Sequence, residues 1–148
     1  MSATKQFCTF FLNNFFFGIE VLSVQEIIRF QEMTKVPMAP STIEGLINLR
    51  GRIVTAIDLR RRLRFPERDA DSEPTNVVVH GDDGTAVSLL VDEIGDVLDV
   101  EEDTFERPPE NLAPSARDLI TGVYKLNDRL LLHLDLGKTI AVSGSVND

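Results

Sequence analysis

Two histidines, one cysteine, a run of carboxylates and a knot of arginines are the side chains here whose chemistry could be put to work. His80 and His133 both lie within apolar stretches, VVVH and LLLHL, and neither has a nucleophile motif, a glycine-rich phosphate loop or a CxxC pair beside it. Each reads as a strand residue rather than a general base. Ser115 lacks the GxSxG elbow, and Cys8 sits in an alternating apolar segment that favours a buried, inert thiol over a reactive one. As the single cysteine it has no disulfide partner in the chain. The acidic run Asp92, Glu93, Asp96, Asp99, Glu101, Glu102 and Asp103 could attract a cation, yet it lacks the DxDxDG spacing of a calcium loop and no histidine is close. No catalytic, metal or cofactor site is therefore assigned.

The basic residues point to binding rather than catalysis. Arg60, Arg61, Arg62 and Arg64 form a local positive patch near Arg50 and Arg52, on a chain of net charge −9 with 24 acidic residues against 15 Lys and Arg. The patch admits a nucleic-acid-binding β-barrel as an alternative function, although the overall charge repels a phosphate backbone. It reads equally well as a solvated edge that guards a strand end against aggregation.

What must position these residues is a duplicated unit. GLINLRGRIVTAIDL, from Gly45 to Leu59, recurs without a gap as GVYKLNDRLLLHLDL, from Gly122 to Leu136. Gly45 matches Gly122, Leu49 matches Leu126, Arg52 matches Arg129, and Asp58-Leu59 matches Asp135-Leu136. These shared positions read as scaffold: the glycines as tight backbone sites and the aspartates as caps at strand ends. Arg50-Gly51 differs, because its counterpart is the plain turn pair Asn127-Asp128. The fold does not need an arginine at that corner, so Arg50 is either a solvated surface charge or a fork of donors for a partner. Upstream, Val21, Val24 and Ile27 match Ile94, Val97 and Val100 in spacing, so each half carries the same apolar trio.

Strand signals dominate the rest. Phe7–Leu12 and Phe15–Glu20 form a hairpin about Asn13-Asn14, and 21–30 is extended and bent. Ser41 followed by Glu44 resembles a capping box and predicts a short helix through Ile47, before a strand over 52–57. The polar stretch 65–74 reads as the linker between halves. Strands follow at 76–80, 85–91 and 94–100, the first two about a turn at Asp82, Asp83 and Gly84. A proline-rich loop over 106–114 and a short helix from Ser115 precede a hairpin of 120–125 and 129–134 about Asn127-Asp128. Asp135 caps a C-terminal helix, and the tail from Ser143 is expected to fray. Short strands, turns and duplication predict an all-β chain of two small barrels packed as one domain over 1–148. The sub-barrels are placed at about 15–65 and 75–135, with terminal segments completing them. No apolar run reaches the length needed to span a bilayer and the N-terminus lacks signal-peptide character, so a cytoplasmic location is expected.

On GLINLRGRIVTAIDLR, FGIEVLSVQEIIR, VPMAP, LLVDEIGDVLDV and LITGVYKLNDRLLLHLDL, nearly the whole chain resembles the chemotaxis coupling protein CheW family. The resemblance implies two pseudo-symmetric five-stranded SH3-like barrels and a non-enzymatic adaptor that couples methyl-accepting chemoreceptors to the histidine kinase CheA. CheW-like domains also occur fused to receivers or to CheA, and the short length favours the free-standing form. The implied partners are the CheA regulatory domain, the cytoplasmic tip of the receptors and other CheW-like domains, with membrane association only through the receptors. By matching positions, a receptor-binding groove between the barrels would include Val21, Val24, Ile27 and Ile94, with Glu26 and Val97 adjacent and Asn48 and Arg50 at its rim. Leu112 matches a position used toward CheA, with Ser41 and Glu44 nearby on the other barrel. Thr55 stands where the family often has proline, which restores a backbone donor within a strand.

Overall fold

The structure is a computed structural model that describes residues 3–81, 83–110 and 112–141. Asp82 in the predicted turn and the tail from Ser143 lie outside the described residues. Eleven strands run in chain order as β1 (Thr4–Leu12), β2 (Phe15–Glu20), β3 (Val24–Ile28), β4 (Ile43–Leu49), β5 (Arg52–Asp58), β6 (Thr75–His80), β7 (Ala86–Val91), β8 (Glu93–Glu101), β9 (Phe105–Glu106), β10 (Ile120–Lys125) and β11 (Leu130–Leu134). There are three short helices, α1 (Leu59–Arg62), α2 (Pro114–Arg117) and α3 (Leu136–Ile140), and two 3-10 turns, of which Val21–Ser23 carries the bend predicted between β2 and β3 and Glu102–Thr104 follows β8. The chain is all-β, as the alternating pattern predicts.

The strands form a five-stranded sheet ordered β3-β6-β7-β5-β4 and a six-stranded sheet ordered β8-β1-β2-β11-β10-β9. The two orders are the same, with β9 added at one edge. This makes the duplication structural, but its boundaries differ from the predicted halves. β6 and β7 belong with β3 to β5 in a first barrel spanning 24–91, while the N-terminal hairpin β1–β2 fills the corresponding place in a second barrel with 93–134. The predicted ranges of about 15–65 and 75–135 therefore exchange a hairpin at each end. Thr55 pairs with Val87, Val87 with Val79 and Val79 with Val24, just as Leu132 pairs with Phe17, Phe17 with Phe10 and Phe10 with Ile94. Val24 is thus the structural counterpart of Ile94, and Ile27, opposite Val77, is the counterpart of Val97, opposite Cys8. The apolar trios match in spacing, but the sequence pairing was slipped by three residues, because evenly spaced valines and isoleucines fit more than one register.

The shared residues of the repeat behave as scaffold for visible reasons. A Cβ on Gly45 would lie 2.7 Å from the Thr34 carbonyl oxygen, where Thr34 bridges to Leu46. One on Gly122 would run into the Phe105 ring and lie 2.8 Å from the Glu106 carbonyl oxygen on β9. Both glycines sit at register shifts in their hairpins. Each admits a strand edge that no side chain would allow. Asp58 accepts from the amides of Arg60 and Arg61, and Asp135 from that of Lys138, so Asp135 is the helix cap expected of it, and Asp58, expected as a cap at a strand end, also starts the unpredicted helix α1.

The helix predicted from Ser41 is absent, for 43–49 is strand β4. A capping box is a local signal, whereas Ile43, Gly45 and Ile47 alternate toward β5 and gain a full ladder there. The Glu44 carboxylate turns to Arg61 at 3.0 Å instead of back to a helix start. The stretch 65–74 is irregular as predicted, but it is tied down: Phe65 stacks on Phe15 with centroids 5.5 Å apart, and Arg68 reaches Asp58 at 3.3 Å.

One core cluster draws on both barrels, joining Phe10, Leu12, Phe17 and Ile19 to Val77, Val79, Val87 and Leu89. A smaller cluster of Phe7, Phe16, Val100, Tyr124 and Leu131 belongs to the second barrel alone. The shared cluster makes the barrels one packing unit, which halves of this size need. Cys8 is buried within it, and burial raises its thiol pKa, which suits an inert thiol.

Candidate functional site

At the turn between β4 and β5, Arg50 and Gly51 both take positive φ, 53° and 86°. Two successive positive values make the tight mirror-image turn that closes a twisted hairpin, and arginine is a costly choice at its first position. The Asn48 carboxamide oxygen accepts from the Gly51 amide at 3.0 Å and fixes the corner. From there the Arg50 guanidinium donates to Glu26 of β3 at 3.0 Å. Arg50 is 81% exposed and Glu26 only 19% in side-chain terms, so the arginine covers the carboxylate and keeps most of its donors toward solvent. Asn48, Arg50 and Glu26, identified separately, are thus one constellation. Asn127-Asp128 makes the corresponding turn in the second barrel without an arginine.

The apolar candidates lie beside this corner. Val21, Val24 and Ile94 are half-buried and pack against the core cluster shared by the two barrels. Ile27 and Val97, counterparts on β3 and β8, are 42% and 55% exposed. Three of the five thus cover the shared core, and the other two stand out toward solvent on the strands that bear Val24 and Ile94. Among the exposed apolar residues that were missed are Leu22 at 88% and Ile53 at 64%, the latter paired with Asn48. Val-Leu-Ser inside an apolar run and Ile-Val at a strand start gave no sign that one residue of each would face solvent.

Of the residues placed toward the kinase, Ser41 is exposed and Glu44 half-buried, and Arg61 joins them by donating to the Ser41 carbonyl at 3.1 Å and to Glu44. Leu112 is only 5% exposed and belongs to the shared core, so it anchors the proline-rich loop from beneath instead of presenting a surface of its own.

The arginine knot is largely spent within the molecule. Arg60 grips Asp92 through two donors at 2.8 and 2.6 Å, Arg61 meets Glu67 and Glu44, and Arg62 donates to the carbonyls of Lys138 and Thr139 at 2.9 and 3.0 Å. The hydrogen bond to Asp92 raises the Arg60 pKa, and the one to Glu67 raises that of Arg61. Of the four, Arg64 alone is exposed, at a positive φ of 60°. A nucleic-acid surface built on this cluster has no support, since its charges are answered by carboxylates and carbonyls of the same chain. Asp92 in turn accepts from the Asn13 amide at 3.0 Å, so its carboxylate clamps the first barrel's α1 to the hairpin turn of the second.

Both histidines are in strands, as predicted. His133 packs against Phe7 with centroids 5.0 Å apart, and burial lowers its pKa. Among the described residues no group of three or more His, Cys, Asp or Glu side chains could hold a metal ion. No helix among them is long and apolar enough to cross a membrane.

Known proteins share this arrangement. The chain is 33% identical over 138 residues to the chemotaxis protein CheW of Klebsiella aerogenes, covering 93% of this chain and 82% of that protein. It is 34% identical over 131 residues to that of Bacillus subtilis, covering 88% and 83% respectively. The crystal structure of the scaffolding protein TtCheW from Thermoanaerobacter tengcongensis superposes with a TM-score of 0.81 at 27% identity, over 94% of this chain and 89% of that one. Residues 6–143 match the CheW-like domain, and with the two permuted barrels and the INLRG corner in place, the chain belongs to the CheW-like family.

Proposed function

We propose that the protein is a non-enzymatic chemotaxis adaptor in the cytoplasm that couples methyl-accepting chemoreceptors to the histidine kinase CheA within a signalling array. The observation that carries this reading is the partly exposed apolar set that covers the core shared by the barrels. Val21, Val24 and Ile94 stay half-exposed over the shared core, and the Arg50–Glu26–Asn48 corner stands at their side. An apolar trough with a fixed polar rim suits a helix laid lengthwise, where a few anchors supply affinity and the rim supplies register. The receptor's cytoplasmic helical tip is that helix in this proposal. Val21, Val24, Ile27, Ile94 and Val97 contact its apolar face, and Arg50 with Asn48 meets its polar edge.

The kinase regulatory domain and other CheW-like domains would bind elsewhere. The Ser41–Glu44 surface and the loop that Leu112 anchors are the proposed contacts. The test is retention of a receptor signalling fragment and of the CheA regulatory domain by the purified chain. Both are expected to bind. Val24→Asp and Arg50→Asp should each release the receptor fragment while the kinase domain stays bound. Retention of the fragment by both variants would remove the site assignment, and failure of the wild-type chain to bind either partner would remove the function.

A further inference from the structure

The pseudo-symmetry of the barrels shows what the second barrel lacks. Glu26 stands one step from Val24 across a bulge, opposite Val78. The same step from Ile94 leads to Asp96, whose carbonyl accepts from Thr9, the counterpart of Val78. Asp96 is therefore the counterpart of Glu26, and Asn127 that of Arg50. Glu26 is covered by its own chain's guanidinium, whereas the Asp96 carboxylate is exposed and has no hydrogen bond or ion pair among the described residues.

In place of an arginine there is a cleft of about 440 Å³, lined by Phe11, Phe16, Ile94, Leu98, Leu126 and Asp96. Arg129 covers part of it, lying over the Phe16 and Phe11 rings at 4.8 and 5.6 Å and pairing with Asp128 at 3.3 Å. Two carboxylates thus face one guanidinium at this corner. In the first barrel the carboxylate of Glu26 is paired with Arg50, whose side chain stays 81% exposed. The second corner is net acidic, whereas the first is balanced and turns its arginine outward, and Ile94 both packs on the core shared by the barrels and lines the cleft.

We propose that the Asp96 cleft receives a cationic side chain from the same partner helix that sets an acidic side chain against Arg50, so that the two corners fix the direction in which the helix lies. This rests on the reading of the apolar set over the shared core as a helix-binding groove. Charge complementarity chooses the occupant: an Arg or Lys can lay its apolar stem along Leu98 and Leu126 and bring its charge to a carboxylate that nothing else neutralises. An apolar side chain would fill the cleft but leave Asp96 unanswered, and an acidic one would be repelled.

The experiment uses three peptides stapled to equal helicity with a common Leu/Ala face. One carries Glu at one end and Arg at the other, one Glu at both ends, and one Arg at both. Calorimetric or fluorescence titration of the full chain is expected to show the mixed peptide binding at least about fivefold tighter than either uniform one. Asp96→Arg should transfer the preference to the all-Glu peptide, and Asp96→Asn should leave the mixed and all-Glu peptides about equal. The proposal is overturned if the three peptides bind alike, if none binds, or if Asp96→Arg keeps the wild-type order. Retention of the receptor fragment alongside any of these results would leave the adaptor reading standing and remove only the assigned polarity.

Discussion

Arg50 donates to Glu26 at 3.0 Å from a turn in which the arginine itself has a positive φ. The backbone strain and the exposed charge occur at one residue, and the second barrel joins its equivalent strands through Asn127-Asp128, with neither a positive φ nor an arginine there. Strain that the fold can do without marks a functional position. Arg50→Ala is expected to leave the denaturation midpoint nearly unchanged, since a pair this exposed contributes about 0 to 1 kcal/mol. Affinity for a receptor signalling fragment should fall about tenfold, or about 1.4 kcal/mol. Equal losses of stability and of binding would show the pair to be structural.

Gly45 and Gly122 give a prediction about the scaffold alone. Alanine at 122 meets the Phe105 ring and the β9 backbone, and alanine at 45 meets the Thr34 carbonyl. Overpacking of this kind costs roughly 1 to 3 kcal/mol. Urea denaturation of Gly45→Ala and Gly122→Ala should each show a loss in that range. Wild-type stability in both would mean that the strand edges yield freely, and that the glycines repeat for another reason.

How far the sequence showed all this depended on the range of each interaction. The Asn13-Asn14 turn, the Asp58 and Asp135 caps and the Arg50 asymmetry are settled within a few residues, and all were legible. The hairpin exchange was not, because pairing of β1 with β8 joins segments nearly ninety residues apart and leaves no local trace. Ser41 and Glu44 carried a true helix-start pattern that the ladder to β5 overrode. The arginine knot looked free because Asp92 and Glu44, which answer it, are distant in sequence. The burial of Leu112 was hidden for a related reason, since the prolines around it concealed a loop pinned to the core.

Asp92 is the clamp between the barrels, and its removal should be felt by both. Burial alone would raise its pKa, but the Arg60 hydrogen bond and the Asn13 amide outweigh this and hold the carboxyl below its ordinary value. A lowered carboxylate pKa stabilises the folded chain above the unfolded value of about 3.9, and that contribution is lost as pH falls through the folded one. Asp92→Asn is expected to lower stability at neutral pH by about 1 to 3 kcal/mol, because Arg60 is left half-buried without its partner. It should also flatten the fall of stability on acidification below about pH 4. Unfolding curves of the variant that match the wild type at pH 7 would remove the clamp.

His133 should set the slope at milder acidity. Its ring lies against Phe7 and Tyr124 in the second barrel, and burial lowers its pKa, with Glu20 and Asp135 opposing and Lys5 adding to the shift. The buried Nδ1 has no hydrogen-bond partner among the described residues, so no hydrogen bond there offsets the cost of burying the charged form. An unfolded chain takes up a proton at this side chain near pH 6.5, while the folded chain resists until lower pH. Stability is therefore complete above about pH 6.5 and declines as pH falls from there through the folded value. His133→Phe keeps an aromatic ring beside Phe7 and removes the titration. Its denaturation midpoint should stay level between about pH 7 and 5, where that of the wild type falls. Parallel curves for the two proteins across that interval would show that His133 takes up its proton alike in the folded and unfolded chain, and the acid sensitivity would then belong to another group.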